Sequence, residues 1–101
     1  MQIVLISGPY RARTIFGRLL NVYKARKVAV YFWRKGHSVI CPHSNSAFFD
    51  GKCSDESFLN GYLELVKCSD IIVMMKNWKS SEGAKKEYEY ARNLNKEIIF
   101  D

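Results

Sequence analysis

This chain of 101 residues predicts a three-layer, doubly wound α/β fold, with a parallel sheet of about four strands and three helices. Short, continuously apolar runs, which are typical of strands buried on both faces, alternate with longer segments whose apolar residues recur at helical spacing. Loop-forming residues separate these segments. The resulting order, β-α-β-α-β-α-β, implies right-handed crossovers between parallel strands.

The first half of the chain predicts a strand, a long helix and a second strand. Residues 2–7 are a short apolar run, and the pair Gly8-Pro9 follows it as the start of a loop. Residues 16–35 are predicted as a helix that ends at Gly36, with apolar side chains at helical spacing: Leu19, Val22, Ala25, Ala29 and Phe32. Residues 37–41 form the second strand, which Pro42 ends.

The second half repeats the alternation after a long polar loop at residues 42–55. Residues 56–68 are predicted as a helix on the spacing of Phe58, Tyr62, Leu65 and Val66. Residues 70–75 form a third strand, 81–94 a third helix and 97–100 a fourth strand. In such a flavodoxin- or Rossmann-like sheet, ligands bind at the carboxyl ends of the strands, near the point where the strand order reverses.

Composition predicts a single cytoplasmic domain, residues 1–101. The chain is 48% hydrophobic, which argues against disorder, and it has no run of 18 apolar residues, so no membrane partner is expected. The amino-terminal strand is too short for a signal peptide and lacks its basic residues. Three cysteines without a Cys-x-x-Cys pair fit a reducing compartment. Cys41, His43 and Cys53 match no common zinc spacing, so no metal is expected.

The net charge of +6 predicts acidic or phosphorylated partners. Cations recur along the first predicted helix: Lys24, Arg26, Lys27, Arg34 and Lys35. We interpret them as a solvated face, with a nucleic-acid-binding stripe as the alternative.

Glu87 is the most informative residue, because it is a charged side chain on the apolar side of the third predicted helix. At about 100° per residue, it falls inside the stripe formed by Ala84, Tyr88, Ala91 and Leu94. A carboxylate that faces a core is costly unless it is paired or used. Glu87 is therefore either a paired structural residue or a functional group at the ligand-binding edge of the sheet.

Three loops are predicted to meet at that edge: 8–14, 42–55 and 76–83. The first has a single glycine, Gly8, and neither a dinucleotide-binding nor a P-loop pattern, so no cofactor is expected. In the same loop, Arg11 and Arg13 are candidates to hold a phosphate or a carboxylate. Tyr10 either orients a carboxylate through its hydroxyl or packs.

The other two loops add weaker candidates. Ser80 or Ser81 is suited to cap the following helix, and the free N–H groups at a helix start also suit an anion. Trp78 either stacks on a base or fills a gap in the core. His43 is expected to be accessible, because single histidines are more often surface residues.

Four segments occur in a fixed order along the chain: Ile6-Ser7-Gly8-Pro9-Tyr10-Arg11, Gly36-His37-Ser38-Val39-Ile40-Cys41-Pro42-His43, Cys68-Ser69-Asp70-Ile71-Ile72, and Trp78-Lys79-Ser80-Ser81-Glu82-Gly83-Ala84 followed by Glu87. With these segments the chain resembles the nucleoside 2-deoxyribosyltransferase-like superfamily over nearly its whole length. It is most similar to the small, often phage-encoded branch near the nucleoside 5′-monophosphate N-glycosidases.

The resemblance implies cleavage or transfer at the N-glycosidic bond of a nucleoside or a (deoxy)nucleoside 5′-monophosphate, with Glu87 as the nucleophile. It implies that Tyr10 holds this nucleophile, that Arg11 and Ser81 bind the 5′-phosphate, and that the protein is a homo-oligomer, a dimer or larger. The expected substrate-binding residues are Gly8, Arg11, His43, Asp50, Tyr62, Trp78, Ser81 and Gly83.

One position departs from the family's pattern. An Asp that assists departure of the base is expected eight residues before Asp70, where this chain has Tyr62. Either Tyr62, Asp50 or His43 substitutes for it, or the protein is slow, or it only binds nucleotides. The sequence thus leaves three functions open: a nucleotide N-glycosidase or deoxyribosyltransferase, a catalytically impaired nucleotide-binding or sequestering protein, and a basic nucleic-acid-binding accessory protein.

Overall fold

The computed structural model describes residues 1–46, 49 and 51–101. Its strands are β1 (Ile3–Ser7), β2 (Ser38–Ile40), β3 (Ile71–Met74) and β4 (Glu97–Phe100). Its α-helices are α1 (Ile15–Arg34), α2 (Pro42–Asn45), α3 (Asp55–Cys68) and α4 (Glu82–Asn93), and a 3₁₀ helix at Trp78–Ser80 precedes α4. The predicted alternation of strands and long helices is confirmed.

The strands form one parallel sheet in the order β2-β1-β3-β4. Leu5 of β1 lies level with Ile40 of β2 on one side and with Ile72 of β3 on the other. The chain runs outward from β1 to β2, then crosses back to β3, so the strand order reverses between β1 and β3. The switch point therefore lies at the carboxyl ends of these two strands.

Helices cover both faces of the sheet, which gives the three predicted layers. On one face the strands pack against α1, whose buried residues are Ala25, Ala29 and Phe32. On the other face they pack against α3 and α4, whose buried apolar residues are Val66, Ala84 and Ala91. Burial on both faces explains why β1 and β3 are continuously apolar apart from Ser7.

Part of the segment expected to be loop is helical. Pro42 opens the one-turn helix α2, in which the N–H groups of Ser44 and Asn45 both donate to the carbonyl of Cys41. A single turn has no amphipathic repeat, so residues 42–55 carry no helical signal in the sequence. The fixed φ of proline at the first helical position favours the turn once the chain is folded.

Asp70 lies at the opposite edge of the sheet from the switch point. Its Oδ2 accepts a hydrogen bond of 2.8 Å from the backbone N–H of Ile3, and its own N–H donates to the carbonyl of Ile3. Asp70 thus ties the start of β3 to β1. None of the described helices is long and apolar enough to cross a membrane.

Candidate active site

A cleft of about 560 Å³ opens at the carboxyl end of β1. Its walls come from the loop that follows β1, from α2, from the first half of α3 and from the start of α4. The lining residues are Ile6 to Arg11, Pro42, His43, Ser46, Asp55, Phe58, Leu59, Tyr62, Ser80 to Ala84, Lys86 and Glu87. The cleft therefore occupies the position at which parallel α/β sheets bind ligands.

Glu87 is buried in the wall of this cleft, with 9% of its surface exposed. It lies in the second turn of α4, on the face that also buries Ala84 and Ala91. Burial raises the pKa of the Glu87 carboxyl to about 7, although the hydrogen bond from Ser7 opposes this rise. At neutral pH the carboxyl is therefore divided between its neutral and ionised forms.

Ser7 is the partner that holds Glu87. Its Oγ donates a hydrogen bond of 2.7 Å to Glu87 Oε1, and the Ser7 side chain is 1% exposed. Ser7 lies in one of the four segments that carry the family resemblance, but it is not among the site residues predicted from the sequence. The available signal was a polar residue at the carboxyl end of an otherwise apolar strand.

His43 lies under the first loop rather than at the surface. It is 3% exposed, so the expectation of an accessible side chain is wrong. Its Nε2–H donates a hydrogen bond of 2.9 Å to the Pro9 carbonyl, and burial lowers its pKa despite hydrogen bonds to the Pro9 and Gly8 carbonyls. Neutral His43 thus anchors the loop to α2, which the sequence did not indicate because the contact joins distant segments.

Tyr10 stands beside His43 in the cleft wall, with the two rings edge to face and their centroids 6.4 Å apart. Its backbone carbonyl accepts a hydrogen bond of 3.1 Å from Asn21 of α1. These contacts fix the first loop between α1 and α2.

Charged residues surround the mouth of the cleft. Arg11 forms an ion pair with Asp55, and both side chains are mostly exposed. Lys86 of α4 lines the same cleft and is exposed. Neither Asp55 nor Lys86 is among the site residues predicted from the sequence. Asp55 lies seven residues before Tyr62 and therefore on the same side of α3. This spacing is visible in the sequence, but it indicates a site residue only if the helix begins at residue 55.

The start of α4 forms another wall. Ser81 is the N-cap, because its Oγ accepts a hydrogen bond of 3.1 Å from the N–H of Ala84. Gly83 lies in the first turn and lines the cleft. The capping interpretation of Ser81 is confirmed, and the first turn of the helix lines the same cleft as Glu87.

Tyr62 lines the cleft, but its hydroxyl is engaged with α2 and the turn after it. The Tyr62 Oη atom lies 2.5 Å from Ser46 Oγ, and it also lies 3.4 Å from the Pro42 carbonyl and from Asn45 Nδ2. At the position where the family's Asp is expected, this chain therefore has a side chain that holds α3 to α2.

One expected site residue falls outside this cluster. Trp78 is not among the residues that line the cleft. Its ring packs on the rings of Tyr88 and Phe100, with centroid distances of 4.7 Å and 6.2 Å. Its contacts match the packing alternative. Asp50 lies outside the described residues. Within the part of the chain that is described, no group of three His, Cys, Asp or Glu side chains could hold a metal ion.

This arrangement brings together a hydrogen-bonded carboxylate of raised pKa, a helix N-terminus and exposed cations around one cleft. A carboxylate with a pKa near neutrality is suited to act as a nucleophile or a general base. The helix start and the cations are suited to an anionic group on a ligand.

Comparisons with known proteins agree with the fold. A solved structure of a 2-desoxiribosyltransferase from Leishmania mexicana is similar to this chain with a TM-score of 0.70 at 16% sequence identity. The similarity covers 99% of this chain and 63% of the Leishmania chain. A search among curated proteins gives no significant match. Residues 10–100 match the family described as "Domain of unknown function (DUF4406)", and the chain therefore belongs to this family.

Proposed function

We propose that the protein cleaves or transfers at the N-glycosidic bond of a nucleoside or a (deoxy)nucleoside 5′-monophosphate, with Glu87 as the nucleophile. The buried carboxylate, held by Ser7 in the wall of a cleft at the switch point, carries this proposal. The fold shared with a 2-deoxyribosyltransferase supports the same reaction class.

The reaction follows the logic of a retaining glycosidase. The free oxygen of the Glu87 carboxylate bonds to the anomeric carbon as the bond from that carbon to the base breaks. The electron pair of the broken bond leaves with the base, which takes a proton. Water or a second base then attacks the anomeric carbon and releases Glu87. Only the ionised carboxylate attacks, so we expect kcat/KM to fall tenfold per pH unit below about pH 7.

We propose that the 5′-phosphate lies between the first loop and the start of α4. Arg11, Lys86 and the N–H groups near Ser81 offer cations and donors on the two sides of the cleft. The Arg11 guanidinium is shared with Asp55, which preorients it at the mouth of the cleft. Gly83 leaves the backbone at the start of α4 open to the substrate, Gly8 lines the opposite wall, and Tyr10 supports Glu87.

One observation favours a second function, nucleotide binding without turnover. The hydroxyl of Tyr62 is engaged with Ser46 and α2, so it is poorly placed to donate a proton to a departing base. A general acid typically contributes about 10²–10⁴ in rate. Without this contribution to the rate, the cleft would serve as a nucleotide-binding site. A third possible function is nucleic-acid binding by the basic residues of α1.

The test is release of free base from a panel of ribo- and deoxyribonucleoside 5′-monophosphates and the matching nucleosides, followed by chromatography. We expect release by the wild type and a loss of at least about 10³-fold for Glu87→Gln. Glu89→Gln, an exposed residue of the same helix, is the matched control and is expected to retain activity. Preference for monophosphates that Arg11→Ala abolishes would support the phosphate assignment.

Binding of nucleotides without release of any base would contradict catalysis and favour the sequestering protein. In that case a thermal shift with monophosphates should persist in Glu87→Gln. Tight binding to oligonucleotides that free nucleotides do not displace would favour the third function.

A further inference from the structure

A buried hydrogen bond between two side chains joins β1 to α4. Ser7 and Glu87 are 80 residues apart in sequence, and their side chains meet at 2.7 Å at the carboxyl end of β1. Each carboxylate oxygen of Glu87 has its own environment, since Oε1 accepts the Ser7 hydroxyl and Oε2 does not. A hydroxyl that donates to a buried carboxylate fixes both its rotamer and which of its oxygens is left to react.

We infer that Ser7 is a positioning residue for the proposed reaction: it occupies Oε1 of Glu87, so that Oε2 is the attacking atom. This inference rests on the proposed function for its chemistry. The contact itself does not depend on that function.

Ser7 then acts in both halves of the reaction. In the first half, Oε2 bonds to the anomeric carbon, the bond to the base breaks, its electron pair leaves with the base, and the base takes a proton from water. In the resulting ester, Oε1 is the carbonyl oxygen and keeps the Ser7 hydrogen bond. In the second half, water attacks the anomeric carbon, the bond to Oε2 breaks, its electron pair returns to the carboxylate, and the proton of the attacking water passes to solvent. Ser7 stabilises the carboxylate that leaves.

The fold also explains why the donor is a small residue. The backbone carbonyl of Ser7 accepts a hydrogen bond of 2.8 Å from Met75, and the Ser7 side chain is 1% exposed between the sheet and α4. Ser7 therefore has little freedom to turn away from Glu87. Ser7→Ala removes the donor with a minimal change in volume.

The experiment compares Ser7→Ala with Ser69→Ala. Ser69 is an equally buried serine, 0% exposed, whose Oγ donates to the Leu65 carbonyl at 2.7 Å, away from the cleft. Both variants lose one hydrogen bond from a buried serine, but only Ser7→Ala changes the surroundings of Glu87. Two readouts are compared. The pKa of Glu87 is measured by ¹³C NMR of labelled glutamate, with the Glu87 signal assigned by its absence in Glu87→Gln. The second readout is the pH profile of base release.

We expect Ser7→Ala to raise the pKa of Glu87 by about one unit, to lower kcat by about 10–100-fold and to leave KM within about twofold. Ser69→Ala should shift none of these values. The other titratable or charged side chains that line the cleft are unchanged in both variants: Tyr10, Arg11, His43, Asp55, Tyr62, Glu82 and Lys86.

An unshifted pKa of Glu87 with normal kcat in Ser7→Ala would overturn the inference. Equal losses of activity in both serine variants, without a pKa shift, would also overturn it, since they would show a purely structural role. If the wild type releases no base but the pKa still shifts in Ser7→Ala, the proposed reaction fails, whereas the holding of Glu87 by Ser7 is supported.

Discussion

The buried carboxylate of Glu87 stabilises or destabilises the fold according to pH. Its pKa is about 7 in the folded protein against an ordinary value of 4.5, so the folded state binds the proton more tightly than the unfolded chain does. The resulting stabilisation is fully present below about pH 4.5 and is lost as the pH rises through 7. Above that range the ionised carboxylate lies in a place that favours its neutral form.

Glu87→Gln should therefore stabilise the protein at high pH. Glutamine keeps the acceptor for Ser7 and carries no charge, so we expect the free energy of unfolding at pH 8 to rise by about 2–3 kcal/mol relative to wild type, with little difference at pH 4.5. Denaturant unfolding at the two pH values measures this difference. A stability gain that is independent of pH would contradict the assigned pKa.

Glu89→Gln is again the control, because Glu89 is on the same helix and exposed. It should change stability by less than about 0.5 kcal/mol at both pH values. A similar rise at pH 8 in both variants would point to the charge of α4 as a whole rather than to the burial of Glu87.

Among the elements, the loop after β1 depends on a close approach to the strand beside it. A β-carbon at Gly8 would lie 2.6 Å from Met75 Sδ and 2.8 Å from Met75 Cβ, so no side chain fits without movement. Met75 donates its N–H to the Ser7 carbonyl, and this hydrogen bond holds the two segments of the chain together next to Glu87. Gly8 is thus a requirement of packing at the switch point.

Gly8→Ala should destabilise the protein by about 1–3 kcal/mol and displace the loop that carries Tyr10 and Arg11. Gly61→Ala is the matched control, because Gly61 lies inside α3, is exposed and has open space around its missing β-carbon. That variant should be more stable by up to about 1 kcal/mol. Equal stabilities of the two variants would refute the close-approach explanation of Gly8.

For the whole molecule, the outer surface of α1 is both apolar and basic. Phe16 is 80% exposed and Tyr23, Tyr31 and Trp33 are each more than half exposed. The helix has no acidic residue, and Lys27 lies over the ring of Tyr23 at 5.7 Å. Exposed apolar patches of this kind mark interaction surfaces. We propose that two copies associate through this face.

Self-association through α1 should strengthen with salt, because two positively charged faces repel at low ionic strength. We expect sedimentation equilibrium to show a dimer or larger species that Tyr31→Glu dissociates. Leu94→Glu, on a different exposed surface, should leave it intact. Nucleic-acid binding at the same face predicts the opposite trend, with affinity falling as salt rises. A wild type that stays monomeric at all salt concentrations would contradict association through this face.

The order of strands and long helices could be predicted from the sequence, because burial on both faces imposes continuous apolar strands and burial on one face imposes helical periodicity. The sequence also singled out Glu87, since a carboxylate inside an apolar stripe conflicts with its surroundings. A serine cap for α4, either Ser80 or Ser81, followed from the residue types that satisfy helix N–H groups.

The partners of the site residues could not be predicted from the sequence and are known from the fold alone. The hydrogen bond from Ser7 to Glu87, the burial of His43 against Pro9 and the engagement of Tyr62 with Ser46 join segments that are distant or irregular in sequence. Such contacts leave no periodic pattern in the sequence, because they depend on how the strands and helices are placed in space. The pKa of Glu87 belongs to the same group, since burial is a property of the assembled layers and not of the residue.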